Sequence, residues 1–221
     1  MKRVLLEVAV DSLGDAIAAA HCGADRLELC SQLDLGGLSP SLELLQRVRS
    51  AVAIPIVVMI RPRAGDFAYT EREVVWMIER IEACHPLLPI GFVFGALQSN
   101  GAIDLGACAK LKECCGSVPA VFHRAWDMIP RSPGEIESLI ALGFARLLTS
   151  GCAATAHDGI AAISELSTRA AGRIEILPGA GITSANVAEI VRSTRCDQVH
   201  GTFKRDCREA RAVLDQLAGA S

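Results

Sequence analysis

The 221-residue sequence has no Cys-x-x-Cys pair, no His-x-His and no cluster among its four methionines, so no short motif prearranges a soft-metal site. It also has no apolar run approaching 18 residues, and the three apolar residues after Arg3 stop at Glu7. Neither a membrane span nor a signal-peptide stretch is therefore expected, and the location implied is cytoplasmic. Charge of one sign is missing as well. The 22 basic against 25 acidic residues leave a net charge of −3, which gives a phosphate backbone nothing to bind, so nucleic acid is not an expected partner. Nine cysteines, an odd number without short even spacing, read as reduced thiols. The vicinal Cys114-Cys115 pair falls in an amphipathic stretch, where it reads as small apolar filler.

What is present is apolar material in a regular order. Hydrophobic residues make up 51% of the chain, enough for a sizeable core, and no linker interrupts residues 1–221, so one α/β domain is expected. Short aliphatic runs predict strands at Val4–Val10, Asp25–Cys30, Pro55–Arg61, Gly91–Gly95, Pro119–Arg124, Arg146–Gly151, Ile174–Gly179 and Asp197–Phe203. Between them, sets such as Leu13, Ala16, Ile17 and Ala20, or Val74, Val75, Ile78 and Ile81, give each helix one apolar face. Asp11 or Ser12, Ser41, Thr70, Asp104, Ser132 and Ser184 suit helix N-caps, and Gly23, Gly116, Gly143 and Gly172 fall where helices should stop. Gly23-Ala24-Asp25-Arg26-Leu27 is echoed at Gly143-Phe144-Ala145-Arg146-Leu147, four βα units later, a hint of two similar halves.

Eight βα units can close into a (β/α)8 TIM barrel or lie open as a doubly wound sheet. In the first strand Val4, Leu6, Val8 and Val10 form an aliphatic set, whereas the alternate set contains Glu7 and Asp11. The second strand sets Leu27 and Leu29 against Arg26, Glu28 and Cys30. An open sheet is covered on both faces, so inward carboxylates fit a barrel lumen better, with Arg26, Arg61 and His123 as partners across it.

Barrel chemistry gathers at strand C-termini and the loops after them. The polar residues there are Asp11, Glu28, Cys30, Arg61, Arg63, His123, Arg124, Asp127, Thr149, Ser150 and His200. Read as an enzyme, Glu28, His123 and Asp127 are candidate acids and bases, and Arg61, Arg63, Arg124 and Ser150 candidate donors to a small anion. The Gly179-Ala180-Gly181 turn stands where barrels often cradle a phosphate with backbone N–H groups. Trp76 and Trp126 could instead serve an oligomeric scaffold with an inert lumen.

Leu6-Glu7-Val8, the segment from Gly23 to Cys30, Gly36-Gly37-Leu38-Ser39-Pro40-Ser41, Met59-Ile60-Arg61-Pro62-Arg63, Phe122-His123-Arg124-Ala125 and Pro178-Gly179-Ala180-Gly181-Ile182 resemble, in order and spacing, the motifs of the CutC copper-homeostasis family. The resemblance runs from Leu6 to about His200. It implies a (β/α)8 barrel, a cytoplasmic location, an assigned role in copper handling, and assembly into homodimers or larger homo-oligomers. Cu(I) prefers soft ligands, and Cys30 is the thiol that a family motif places at a strand C-terminus, so Cys30 is the candidate copper ligand at the barrel mouth. The alternative remains a barrel enzyme acting on a small anionic substrate, phosphorylated ones included. The sequence departs from the family at Cys152, where glycine is usual, at Leu88-Pro89-Ile90-Gly91, and in a short segment after His200.

Overall fold

The computed structural model describes residues 3–129 and 135–219. Among them, strands and helices alternate as β1 (Leu5–Val10), α1 (Leu13–His21), β2 (Arg26–Leu29), α2 (Leu42–Ala51), β3 (Ile56–Met59), α3 (Glu71–Cys84), β4 (Gly91–Phe94), α4 (Leu105–Cys114), β5 (Ala120–Phe122), α5 (Glu135–Ala141), β6 (Arg146–Thr149), α6 (Ile160–Ala170), β7 (Glu175–Pro178), α7 (Val187–Thr194), β8 (Gln198–Gly201) and α8 (Cys207–Gly219). All eight strands expected from the sequence are present. They run parallel in the order β7-β6-β5-β4-β3-β2-β1-β8, and a single Gly179–His200 bridge joins the two ends, so the sheet is a nearly closed barrel.

Alternation along each strand sorts the side chains into two apolar bodies. Leu6, Val8, Leu27, Leu29, Val58 and Phe92 belong to the shell between sheet and helices. Cys30, Val57, Met59, Val93, Val121, Leu148 and Leu177 form a separate cluster that fills the lumen. The helices start where capping chemistry allows. Ser12, Ser41, Thr70 and Asp104 accept from backbone N–H groups in the first turns of α1 to α4, and Thr70 with Glu73 completes a capping box. Ser184 does not cap α7: Asn186 precedes that helix, and the Ser184 N–H is taken by Asp206. Ser132 lies outside the described residues.

Two of the family departures meet backbone geometry that disfavours them. Cys152 and Leu88 have φ of 58° and 52°, in the left-handed region where a β-carbon costs about 1–2 kcal/mol.

The sequence echo has a structural meaning. Arg26 and Arg146 open β2 and β6, and both are buried in the lumen at the strands' N-terminal ends. Arg146 Nε donates to Glu175 at 3.1 Å, Gln198 Nε2 donates to the same carboxylate at 3.1 Å, and Arg26 Nη2 donates to Gln198 Oε1 at 2.8 Å. Arg26 Nε in turn donates to Glu7. Each charged group of this layer thus has an opposite charge or amide partner, as burial in a low dielectric requires, although Arg146 Nη1 is left without an acceptor.

Candidate functional site

The pairing continues upward from Glu7. Parallel register sets Glu7 beside Arg26 on one side and His200 on the other, and His200 Nδ1 lies 2.8 Å from Glu7 Oε1. The other ring nitrogen, Nε2, is 3.9 Å from Glu28 Oε1. Burial alone would raise the Glu7 carboxyl, but the His200 hydrogen bond and the Arg26 charge outweigh it and hold it down at about 2. Burial also opposes charge on His200, yet Glu28 and Glu7 together raise its pKa above the ordinary histidine value. Glu28 is pushed up to about 7, chiefly by burial and against the pull of His200. Its Oε2 has no hydrogen-bond partner.

Glu28 and His200 face a cavity of about 530 Å³ at the C-terminal mouth, walled by Arg61, Phe67, His123, Arg124 and Met128. His123 Nδ1 accepts from the Ala125 N–H at 3.3 Å, which leaves the ring hydrogen on Nε2, an atom with no partner. Burial, helped by the Arg61 charge, lowers the His123 pKa to about 3, so the ring is neutral. Gly95 makes room for it. A β-carbon there would lie 2.8 Å from His123 Nδ1 and 3.0 Å from Phe122 Cζ. Gly95→Ala should therefore cost about 1–3 kcal/mol and lower the thermal midpoint; an unchanged midpoint would mean the ring is not held against Gly95.

Several expected donors are already engaged. Arg61 gives its Nη groups to the carbonyls of Leu35, Gly37 and Gly65 at 3.1, 3.3 and 2.8 Å. Only Nε is without a partner, so a forked grip on a substrate is not available from Arg61. Arg63 does not line the cavity: it binds Glu73 at 2.5 Å and Asp66 at 2.9 Å, pinning the loop before α3. Arg124 stays at the rim, half exposed, with Nε on Asp127 at 2.9 Å and Nη2 on Ser150 Oγ at 3.3 Å.

Asp127 lines the cavity but is not poised as a base, because its carboxylate accepts from Thr149 Oγ1 at 2.5 Å, from the N–H groups of Ser150 and Cys152 at 3.1 and 3.2 Å, and from Arg124. It latches the loop after β6, and Ser150 is part of that latch.

The glycine turn, whose Ala180 and Gly181 line the cavity, has part of its N–H set committed. The Gly179 N–H is spent on Thr149 O at 2.9 Å, and those of Thr183 and Ser184 on Asn186 and Asp206 at 2.9 and 2.6 Å. Gly179 instead gives space to Leu148 and His200, while Gly181 lines the mouth.

Cys30 is fully buried, and its thiol donates to Val10 O at 3.4 Å. Burial drives its pKa far up, so the proton stays on sulfur. Among the described residues the cluster able to share a metal ion is Glu7, Glu28 and His200, whose donor atoms lie within 4.8 Å of one another, and Cys30 is not in it. The sequence marks Glu7 as inward and His200 as a polar strand end, but it does not join them to Glu28, because that juxtaposition depends on barrel closure.

Eight parallel strands alternating with eight helices in a nearly closed sheet make this a (β/α)8 barrel protein. Within that class the chain belongs to the CutC family, whose model matches residues 4–205. It is 44% identical to the human "Copper homeostasis protein cutC homolog" over 196 residues, 89% of this chain and 72% of that protein. It is 40% identical to a family protein CutC of Glaesserella parasuis over 215 residues, covering 97% and 87%. The crystal structure of CutC from Streptococcus agalactiae superposes with a TM-score of 0.87 at 35% identity, over 91% of this chain and 99% of that one. Thiamine phosphate pyrophosphorylase from Pyrococcus furiosus, at 12% identity and a TM-score of 0.66, shares the fold alone. Among the described residues no helix is long and apolar enough to cross a membrane.

Proposed function

We propose that the chain serves copper homeostasis, as its human relative is named, and that its barrel mouth works by acid–base chemistry on a small anionic molecule. The observation that carries the reading is the buried Glu28 carboxyl, which faces the cavity with Oε2 unpartnered and His200 Nε2 3.9 Å from Oε1, and which burial pushes up to about 7. A group that binds and releases a proton near the working pH is what general acid–base catalysis needs. Glu7 orients the His200 ring, and with its raised pKa that ring favours an anion when protonated. Across the cavity, His123 Nε2–H and Arg61 Nε–H are buried donors without partners, a cost that a bound oxyanion would relieve.

Cu(I) held by Cys30 at the same mouth fits less well. The thiol is protonated, bonded to a carbonyl and apart from the other donors. A harder divalent ion on Glu28 and His200 is the second reading. An imidazole that gives its other N–H to a carboxylate, as His200 does to Glu7, is the usual support of a metal-ligating histidine.

Thermal-shift titration of metal-free protein with orthophosphate, simple phosphate esters and Cu(II) separates the two. An anion should raise the melting temperature of the wild type and of Glu28→Gln but not of His123→Ala. A shift given by Cu(II) alone, and lost in His200→Gln, would replace the catalytic reading with the metal one.

A further inference from the structure

The cavity at the barrel mouth combines two kinds of wall. Its unpartnered donors, His123 Nε2–H and Arg61 Nε–H, belong to residues only 3% and 5% exposed. The Phe67 ring backs both, with its centroid 4.8 Å from that of the His123 ring and 4.7 Å from Arg61 Cζ. The rest of the mouth is largely apolar: Leu33 and Leu35 come from the loop after β2, Met128 from the turn after β5 and Ile182 from the loop after β7. Leu35 and Met128 are 46% and 67% exposed, on strands three positions apart around the barrel. Single exposed apolar side chains are ordinary. Two that line one cavity, above two buried donors with nothing to bind, share one explanation in a ligand that covers both.

We propose, resting on the anion reading of the mouth given above, that its ligand is amphiphilic. An oxyanion head takes the His123 and Arg61 donors, and an apolar body, an aryl ring or an alkyl chain of several carbons, lies against Leu33, Leu35, Met128 and Ile182. Size agrees with this. A cavity of about 530 Å³ holds far more than a bare phosphate or acetate ion and falls within the roughly 300–1,000 Å³ of sites for larger organic ligands. The donor count agrees as well. Arg61 spends both Nη groups on carbonyls and His123 offers one N–H, so together they serve two oxygens of a single head. At the rim Arg124 is already paired with Asp127, which leaves the outer wall with little to offer a second anionic group. Covering Leu35 and Met128 instead removes apolar surface from water, which favours binding in proportion to the area buried.

The test is calorimetric titration of the protein with two series of probes: orthophosphate with methyl, butyl and phenyl phosphate, and acetate with butyrate, hexanoate and phenylacetate. In the series whose head binds, affinity should rise by about two- to fourfold per methylene, and the heat capacity of binding should become more negative along it. His123→Ala should weaken every member. The double variant Leu35→Ser with Met128→Ser, at exposed positions that should leave folding intact, should cut the affinity ratio of the longest to the shortest alkyl probe at least threefold. Binding of orthophosphate or acetate through His123 with no gain from a longer body would overturn the amphiphilic ligand and leave the acid–base mouth standing. Binding by no member of either series would overturn both. A gain that survives the double variant would put the body elsewhere. A dimer that the double variant splits, with no dependence on the body, would assign the rim to a second copy of the chain.

Discussion

Arg26→Met should lower the unfolding free energy by about 3–5 kcal/mol, the cost of stranding one partner of a buried ion pair. The stranded group is Glu7, which is 1% exposed and would keep only His200 as a counter-charge. The same substitution leaves Gln198 Oε1 without its 2.8 Å donor. For a domain with about 5–15 kcal/mol in hand, a loss of this size is plain in a urea midpoint at pH 7. The double variant Arg26→Met with Glu7→Gln should recover much of it, because no uncompensated charge remains. If single and double variants unfold at the same urea concentration, the penalty is lost packing and not stranded charge.

The second large effect is a pH dependence. Glu28 has its folded pKa raised from 4.5 to about 7, so its contribution to stability is complete below pH 4.5 and disappears as the pH rises through about 7. At about 1.4 kcal/mol for each tenfold change in proton affinity, the move amounts to roughly 3 kcal/mol. His200, also raised, adds loss in the same direction as the pH climbs. His123, lowered from 6.5 to about 3, works the other way: its contribution is present above 6.5 and fades as acid drives a proton onto the buried ring. Wild-type stability mixes these slopes, so the informative quantity is the difference from Glu28→Gln. That variant should match the wild type near pH 4.5 and exceed it by up to about 3 kcal/mol at pH 8. A constant offset across that range would mean Glu28 does not titrate near neutrality.

The strands were legible because each carries its alternation in a few residues: the Glu7, Ala9 set against Leu6, Val8, Val10 already separates lumen from shell. Capping was legible at Ser12, Ser41, Thr70 and Asp104, where one side chain reaches a nearby N–H. The site was legible as a ring of residues but not as a set of bonds. Asp127 looks like a free carboxylate until Thr149, Ser150 and Cys152 converge on it from the next strand. Arg63 looks like a substrate donor until Asp66 and Glu73 claim it. In both cases local hydrogen bonds outcompete the cavity for the charge. The Glu7, Glu28 and His200 cluster needed the pairing of the first strand with the last, which no local pattern encodes.

That pairing sets a schedule for the nascent chain. Glu7 and His200 are 193 positions apart, and Arg211, which donates to Val4 O at 2.9 Å and to Asp25 at 3.0 Å, comes later still. At about 5–20 residues per second, the ribosome takes roughly 10–40 s to deliver β8 after β1. Through that interval β1 offers an open edge on its β8 side, and Glu7 has Arg26 but not His200. The barrel therefore cannot close before β8 has been made, and α8, through Arg211, acts as the latch.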